Sequence, residues 1–206
     1  MSDGANKFNE IIEFGNAIGL ADAVPGRYSV LLLIDIYYQS MILGTMNPAK
    51  VITEIKSLEG SDSPSRTKPA QPFSGPHLKG LWHKHYLADG LSTMARNLAN
   101  GLKKYGIPQF EENVRLASEA NEERYMTEED IKLIVHDAVH GNWMRRADDH
   151  ELTGEWLIYA QHENKNYYLC LGKHTTGDEH IRQQIDAVCC QEFPFLSDLL
   201  CSLDNN

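Results

Sequence analysis

Residues 136–180 read HDAVHGNWMRRADDHELTGEWLIYAQHENKNYYLCLGKHTTGDEH. Within this stretch, GEWLIYAQ (154–161) and NYYLCLG (166–172) are rich in aromatic and aliphatic residues, and the polar HENK separates them. Two such runs joined by a short polar turn read as the strands of a hairpin. This is the one clear hairpin signal in the chain, so a sheet is expected here. Six of the nine histidines fall in the same stretch, so chemistry is expected here as well.

Upstream, Thr127 opens the sequence T-E-E-D, a hydroxyl cap with carboxylates in the first turn, where the helix dipole favours them. The helix that follows, DIKLIVHDAVHG, sets Ile131, Ile134, Val135, Ala138 and Val139 on one stripe and is expected to end at Gly141. Downstream, GDEHIRQQIDAVCCQEF turns Ile181, Ile185, Val188 and Cys189 inward. Pro194 breaks that helix, and LSDLLCSL adds a further helical turn.

The first half of the chain reads as helical. Residues 7–20 place Phe8, Ile11, Ile12, Ile18 and Leu20 on one face, although Gly15 and Gly19 weaken the pattern. YSVLLLIDIYYQSMIL is apolar throughout and too long for an ordinary strand, so a core helix is favoured. Pro48 starts another helix, AKVITEIKSLEG, which stops at Gly60. Residues 60–76 are rich in proline, serine and glycine and read as a loop or linker. A helix is expected over residues 89–104, closed by Gly106 and Pro108, and EENVRLASEANEERY is an acidic helix or connector.

The expected fold class is α+β, a small antiparallel sheet flanked by helices with a helical N-terminal section. The expected organisation is a helical section over 1–60, a Pro/Ser-rich linker or loop over 61–76 and an α+β domain over 77–206. A further strand is expected from either 29–38 or 77–86.

The net charge of −10 and the pI near 5.3 argue against non-specific binding to duplex DNA. The apolar segment Ser29–Ile36 is too short to span a bilayer, so no membrane association is expected. No basic, then apolar leader opens the chain, and Cys170, Cys189, Cys190 and Cys201 show no CxxC spacing. Reduced thiols in a cytoplasmic protein are the expectation. GxxxxGK[ST], GxGxxG and GxSxG are missing from the sequence, which leaves P-loop, Rossmann and α/β-hydrolase readings without their signatures.

Three histidine constellations remain. His136 and His140 share a helical face in HDAVH, similar to the zincin motif HExxH but with Asp137 in the glutamate's place. With His150 as third ligand they would hold zinc or another divalent metal and make a metal-dependent hydrolase. His83 and His85 would face one side of a strand, between Trp82 and Tyr86. His150 and His174 flank the two expected strands.

On that last pair falls a family resemblance. D-H-x-L-x-G (Asp149, His150, Leu152, Gly154) and Y-L-x-L-G-x-H (Tyr168, Leu169, Leu171, Gly172, His174) resemble landmarks of the small RelE-like mRNA-cleaving toxins, of the YafQ type. The resemblance covers roughly residues 127–180. It implies a metal-independent endoribonuclease without cofactor, with His150 and His174 as acid and base. Arg145, Arg146 or Lys173 would neutralise the phosphate, and Trp156, Tyr167 or Tyr168 would stack on a base. RNA is then the expected partner. The reading set against it is a non-enzymatic interaction or regulatory protein with a protein partner or inhibitor, which the acidic charge and helical N-terminal section suit.

Overall fold

The computed structural model describes residues 3–61 and 65–201. It has the expected α+β class. Four helices come first: α1 (Asp3–Ala17), α2 (Leu20–Ala23), α3 (Val30–Tyr37) and α4 (Pro48–Leu58). Strands β1 (Gln71–Pro72) and β2 (Trp82–Tyr86) follow. A helical excursion then holds α5 (Leu91–Tyr105), α6 (Pro108–Glu119), α7 (Glu128–His136) and α8 (Asn142–Asp148). Strands β3 (Glu155–His162) and β4 (Lys165–Gly172) precede α9 (Asp178–Gln184), α10 (Cys190–Glu192) and α11 (Phe195–Cys201). No helix among the described residues is long and apolar enough to cross a membrane.

The hairpin forms at the expected place. Glu163 and Asn164 make its turn, both at positive φ (50° and 61°), as a two-residue turn matched to the strand twist requires. The sheet order is β1-β2-β3-β4, antiparallel throughout. The further strand therefore comes from residues 77–86. Within residues 29–38 the chain instead forms α3 (Val30–Tyr37), whose N-cap hydroxyl, Ser29, accepts from the Leu32 amide at 3.0 Å.

A bulge at Ile158/Tyr159 sets which side chains share a face. Leu157 pairs with Leu171 and Ile158 with Cys170, but Tyr159 pairs with Tyr168, so Leu169 is the extra residue. Tyr159 and Tyr168 thus join Tyr86 and Leu157 on one face, against Leu32, Ile36 and Ile55 from the N-terminal helices. Ile158, Leu169 and Cys170 face the other way, against Ile181, Ile185 and Leu196. The sheet is the middle of three layers, and α1–α4 share a core with it.

The outer edge of β4 is covered. Tyr168 donates to the Arg27 carbonyl (2.8 Å) and accepts from the Ser29 amide (2.9 Å). The Asp35 carboxylate of α3 takes the next free amide, that of Leu171, at 2.9 Å. Covering an edge in this way removes a template for aggregation. The described part of the Pro/Ser-rich segment is also stitched to the sheet. Thr67 is buried and donates to the His85 carbonyl at 2.8 Å. The buried Lys84 ammonium reaches the Lys68 carbonyl (2.7 Å) and Glu54 (3.4 Å).

The capping box at Thr127 is present, with Asp130 answering the cap. Gly141 is the correction. Its φ of −58° and ψ of −48° are helical, and the chain passes through a π-helical turn (Asp137–Gly141) into α8. The glycine is there for space. A Cβ at Gly141 would lie 2.6 Å from Asp137 Oδ1 and 3.2 Å from the Arg145 guanidinium.

Candidate histidine site

Three imidazoles, a tryptophan and a phenylalanine meet on one side of the sheet. Strand alternation puts His83 and His85 of β2 on the same face. Register places Trp156 opposite His85, and Gly172 opposite Trp156. His174 follows two residues beyond Gly172. The His83 and His85 ring centroids are 5.5 Å apart, and those of His85 and His174 are 5.7 Å apart with the planes within 24°. Trp156 sits edge-on to His174 at 4.4 Å, and Phe73 lies 4.6 Å from His83 and 5.3 Å from Trp156.

Gly154 organises the site. Its carbonyl oxygen lies 3.0 Å from His85 Nδ1 and 3.1 Å from His174 Nε2. A carbonyl only accepts, so these contacts place the protons on His85 Nδ1 and His174 Nε2. The Gly154 amide also approaches His85 Nδ1, at 3.4 Å, but the shorter carbonyl contact decides the tautomer. His85 Nε2 and His174 Nδ1 are left to act as acceptors. Only glycine fits at 154, because a Cβ there would lie 1.7 Å from the Tyr86 carbonyl oxygen. The Glu155 carboxylate fixes the other strand end by accepting from the His174 amide at 3.0 Å.

Burial favours the neutral form of His83 and His85. Burial lowers the His85 pKa to about 4; the Gly154 bond opposes this, while His83, His174 and Lys68 reinforce it. Burial also lowers the His83 pKa, helped by His174 and opposed by Asp178. His85 is 6% exposed, whereas His174 is open to solvent. His83 Nδ1 and Trp156 Nε1 are buried with no hydrogen-bond partner among the described residues. An indole N–H can only donate, so the site offers a donor and an imidazole nitrogen side by side.

The other sequence-derived candidates lie in different surroundings. His150 has a left-handed backbone (φ 54°), and its Nδ1 donates to the Ser65 carbonyl at 2.7 Å. Arg145 binds Asp137 (2.5 Å) and Asn142 (3.0 Å). Burial alone would raise the Asp137 pKa, but Arg145 and the Gln109 amide hold it below the ordinary carboxylate value. Arg146 is buried between Asn97 and Glu151. Tyr168 is fully buried and donates to Glu59 at 2.8 Å. Tyr167 packs on Phe193 and Phe195. Lys173 is exposed and near enough to Asp35 to oppose the rise of its pKa.

His136 and His140 form an exposed pair with ring centroids 5.0 Å apart. Asp137 is turned away from solvent, accepting from the Gln109 amide at 2.7 Å. Among the described residues, no three His, Cys, Asp or Glu side chains are grouped to hold a metal ion.

The structure thus brings together His174 and Trp156 from the sequence-derived set with His83 and His85. HKH carried a usable signal, period-two alternation within a strand. Gly154 entered as the last position of the D-H-x-L-x-G landmark, and Phe73 carried no signal beyond its residue type. No protein-family model, curated protein or solved structure matches this chain.

Proposed function

We propose that the chain is a metal-independent endoribonuclease, toxin-like in its chemistry, that works through His83 and His174. The observation that carries this reading is the clustering of three imidazoles: His85 and His174 share the Gly154 carbonyl, and the His83 ring lies 5.5 Å from that of His85. RNA cleavage without a metal requires a base to take the 2′-hydroxyl proton and an acid to protonate the leaving 5′-oxygen. His83, with its lowered pKa, is neutral near pH 7 and suits the base. His174 is solvent-exposed with Nε2–H held by Gly154, and in its imidazolium form it carries at Nδ1 the proton that the acid gives. His85 is too buried to meet substrate and acts as a positioning residue. Lys68 and Lys173 supply positive charge, and Trp156 supplies an aromatic edge. The RelE-like resemblance supports the role of His174, while the geometry favours His83 over His150 as its partner.

The test is cleavage of a short single-stranded RNA by the purified protein with a chelator present. The expected product end is a 2′,3′-cyclic phosphate. His174→Ala and His83→Ala should each slow cleavage by about 10²–10⁴-fold, and His150→Ala separates this pair from the one drawn from sequence. A wild-type protein that cleaves no RNA, or a His174→Ala variant as active as wild type, overturns the proposal.

A second reading, a protein-interaction module, is favoured by one feature. The excursion α5–α8 turns many apolar side chains outward, Leu91, Met94 and Val135 among them.

A further inference from the structure

The groove between α6 and α7 has no role in the histidine site. It has a volume of about 530 Å³, and its lining includes Phe110, Val114, Ala117 and Met126 together with Glu122, Glu123, Arg124 and Asp130. That volume is within the range of about 300–1,000 Å³ typical of binding clefts. Val114 is 52% exposed and Met126 59% exposed. Neither α6 nor α7 has a buried residue, although they are 12 and 9 residues long. Helices this short are marginal in water, and most helical stability comes from packing an amphipathic face. Among the described residues, nothing covers the outer faces of this pair.

Charge decides what could cover them. Residues 108–130 contain eight carboxylates and two arginines. Both arginines are already engaged, Arg115 with Glu112 and Glu119, and Arg124 with Glu122 and Asp130. A second copy docked on this face would bring two strongly acidic surfaces together. An occupant rich in lysine or arginine meets no such penalty.

We propose that the α6–α7 groove receives one basic amphipathic helix of a partner protein. Apolar residues spaced i, i+3/i+4, i+7 on that helix seat against Phe110, Val114 and Met126. Its flanking lysines or arginines meet the carboxylates that residues 108–130 hold in excess of their two arginines. The proposal is independent of whether the chain cleaves RNA.

The probe is a fluorescein-labelled synthetic helix of about 18 residues, five turns, built only of leucine and lysine in amphipathic order and titrated into the full chain. A peptide of the same composition in scrambled order is the control. The expected result is saturable one-to-one binding, weakened roughly ten-fold or more by Val114→Asp, by Met126→Asp or by the scrambled order, and weakened by salt. Both substituted residues are exposed, and circular dichroism checks that the variants stay folded. The proposal fails if the ordered peptide does not bind. It also fails if the scrambled peptide binds equally, or if both variants bind like wild type. Sedimentation adds one more overturning result, a homodimer that Val114→Asp dissociates.

Discussion

His85 and His174 donate to the same acceptor. The Gly154 carbonyl lies 3.0 Å from one ring and 3.1 Å from the other, although the two histidines belong to segments on opposite sides of β3. The arrangement depends on Gly154 having no side chain. Gly154→Ala would drive a methyl group into the Tyr86 carbonyl, parting β2 from the start of β3 and moving the shared acceptor. The expected loss is about 1–3 kcal/mol, the usual scale of overpacking, read as a lower urea midpoint. Any RNA cleavage should fall with it. A variant of unchanged stability and activity would show that the backbone approach is unimportant.

Stability should depend on pH through His85. Its folded pKa, about 4, is below the unfolded value near 6.5. Above pH 6.5 both states hold the ring neutral, and the folded state carries no penalty. As pH falls from 6.5 towards 4, the unfolded chain takes up the proton first, so stability is lost across that window and levels off below it. The shift sets an upper limit of about 3 kcal/mol. Asp35, raised by burial to about 6, acts in the opposite sense, because its folded form holds a proton that the unfolded form releases. Comparing wild type with His85→Gln isolates the histidine. The variant should lose less stability between pH 7 and pH 4.5, and equal losses would refute the assignment.

What the sequence revealed follows contact range. The Glu163–Asn164 turn, the Thr127 cap, the Pro48 helix start and the core helix at Val30 rest on residues within a few positions of one another, and all formed as read. Gly141 misled because a stop signal and a space requirement look alike from sequence; only the Asp137–Arg145 pair beside it tells them apart. The histidine site was half legible. His83 and His85 alternate visibly within HKH, but β2 joins β3 across the whole α5–α8 excursion, and no local periodicity reports such a pairing. The RelE-like resemblance pairs His150 with His174; in the fold His150 takes a left-handed backbone and its ring donates to the Ser65 carbonyl.

The proposed catalytic pair carries a pH signature. Activity needs His83 neutral and His174 protonated, so the rate should rise and then fall with pH. Because burial lowers the His83 pKa, the acidic limb should lie below the ordinary histidine value of about 6.5. His83→Gln should abolish that limb along with most of the rate. An acidic limb that survives the substitution belongs to another group and removes His83 from the role of base.

Gly141→Ala sets two effects against each other. Alanine favours a helix over glycine by about 1 kcal/mol, and the backbone at 141 is helical. The added methyl would meet Asp137 Oδ1 at 2.6 Å and the Arg145 guanidinium at 3.2 Å. Asp137 is fully buried and also holds the Gln109 amide at the start of α6. The steric effect should win, giving a net loss of about 1–3 kcal/mol. Faster hydrogen exchange at Gln109 and Phe110 would locate the damage. A stabilised variant would mean that the Asp137–Arg145 pair gives way at little cost.

The sheet and the α6–α7 pair should respond differently to loss of apolar side chains. Leu157 is fully buried between β2 and β4, so Leu157→Ala should cost about 2–5 kcal/mol. Val114 and Leu116 are half exposed on α6, which buries nothing. Val114→Ser and Leu116→Ser should each stay within about 0.5 kcal/mol of wild type in the isolated chain. With a basic helical peptide bound, the same Val114→Ser change should lower the peptide-induced gain in stability, since a ligand stabilises only in proportion to its affinity for the folded form. A large cost of Val114→Ser without any peptide would mean that α6 packs against this chain's own core, leaving no groove for a partner to fill.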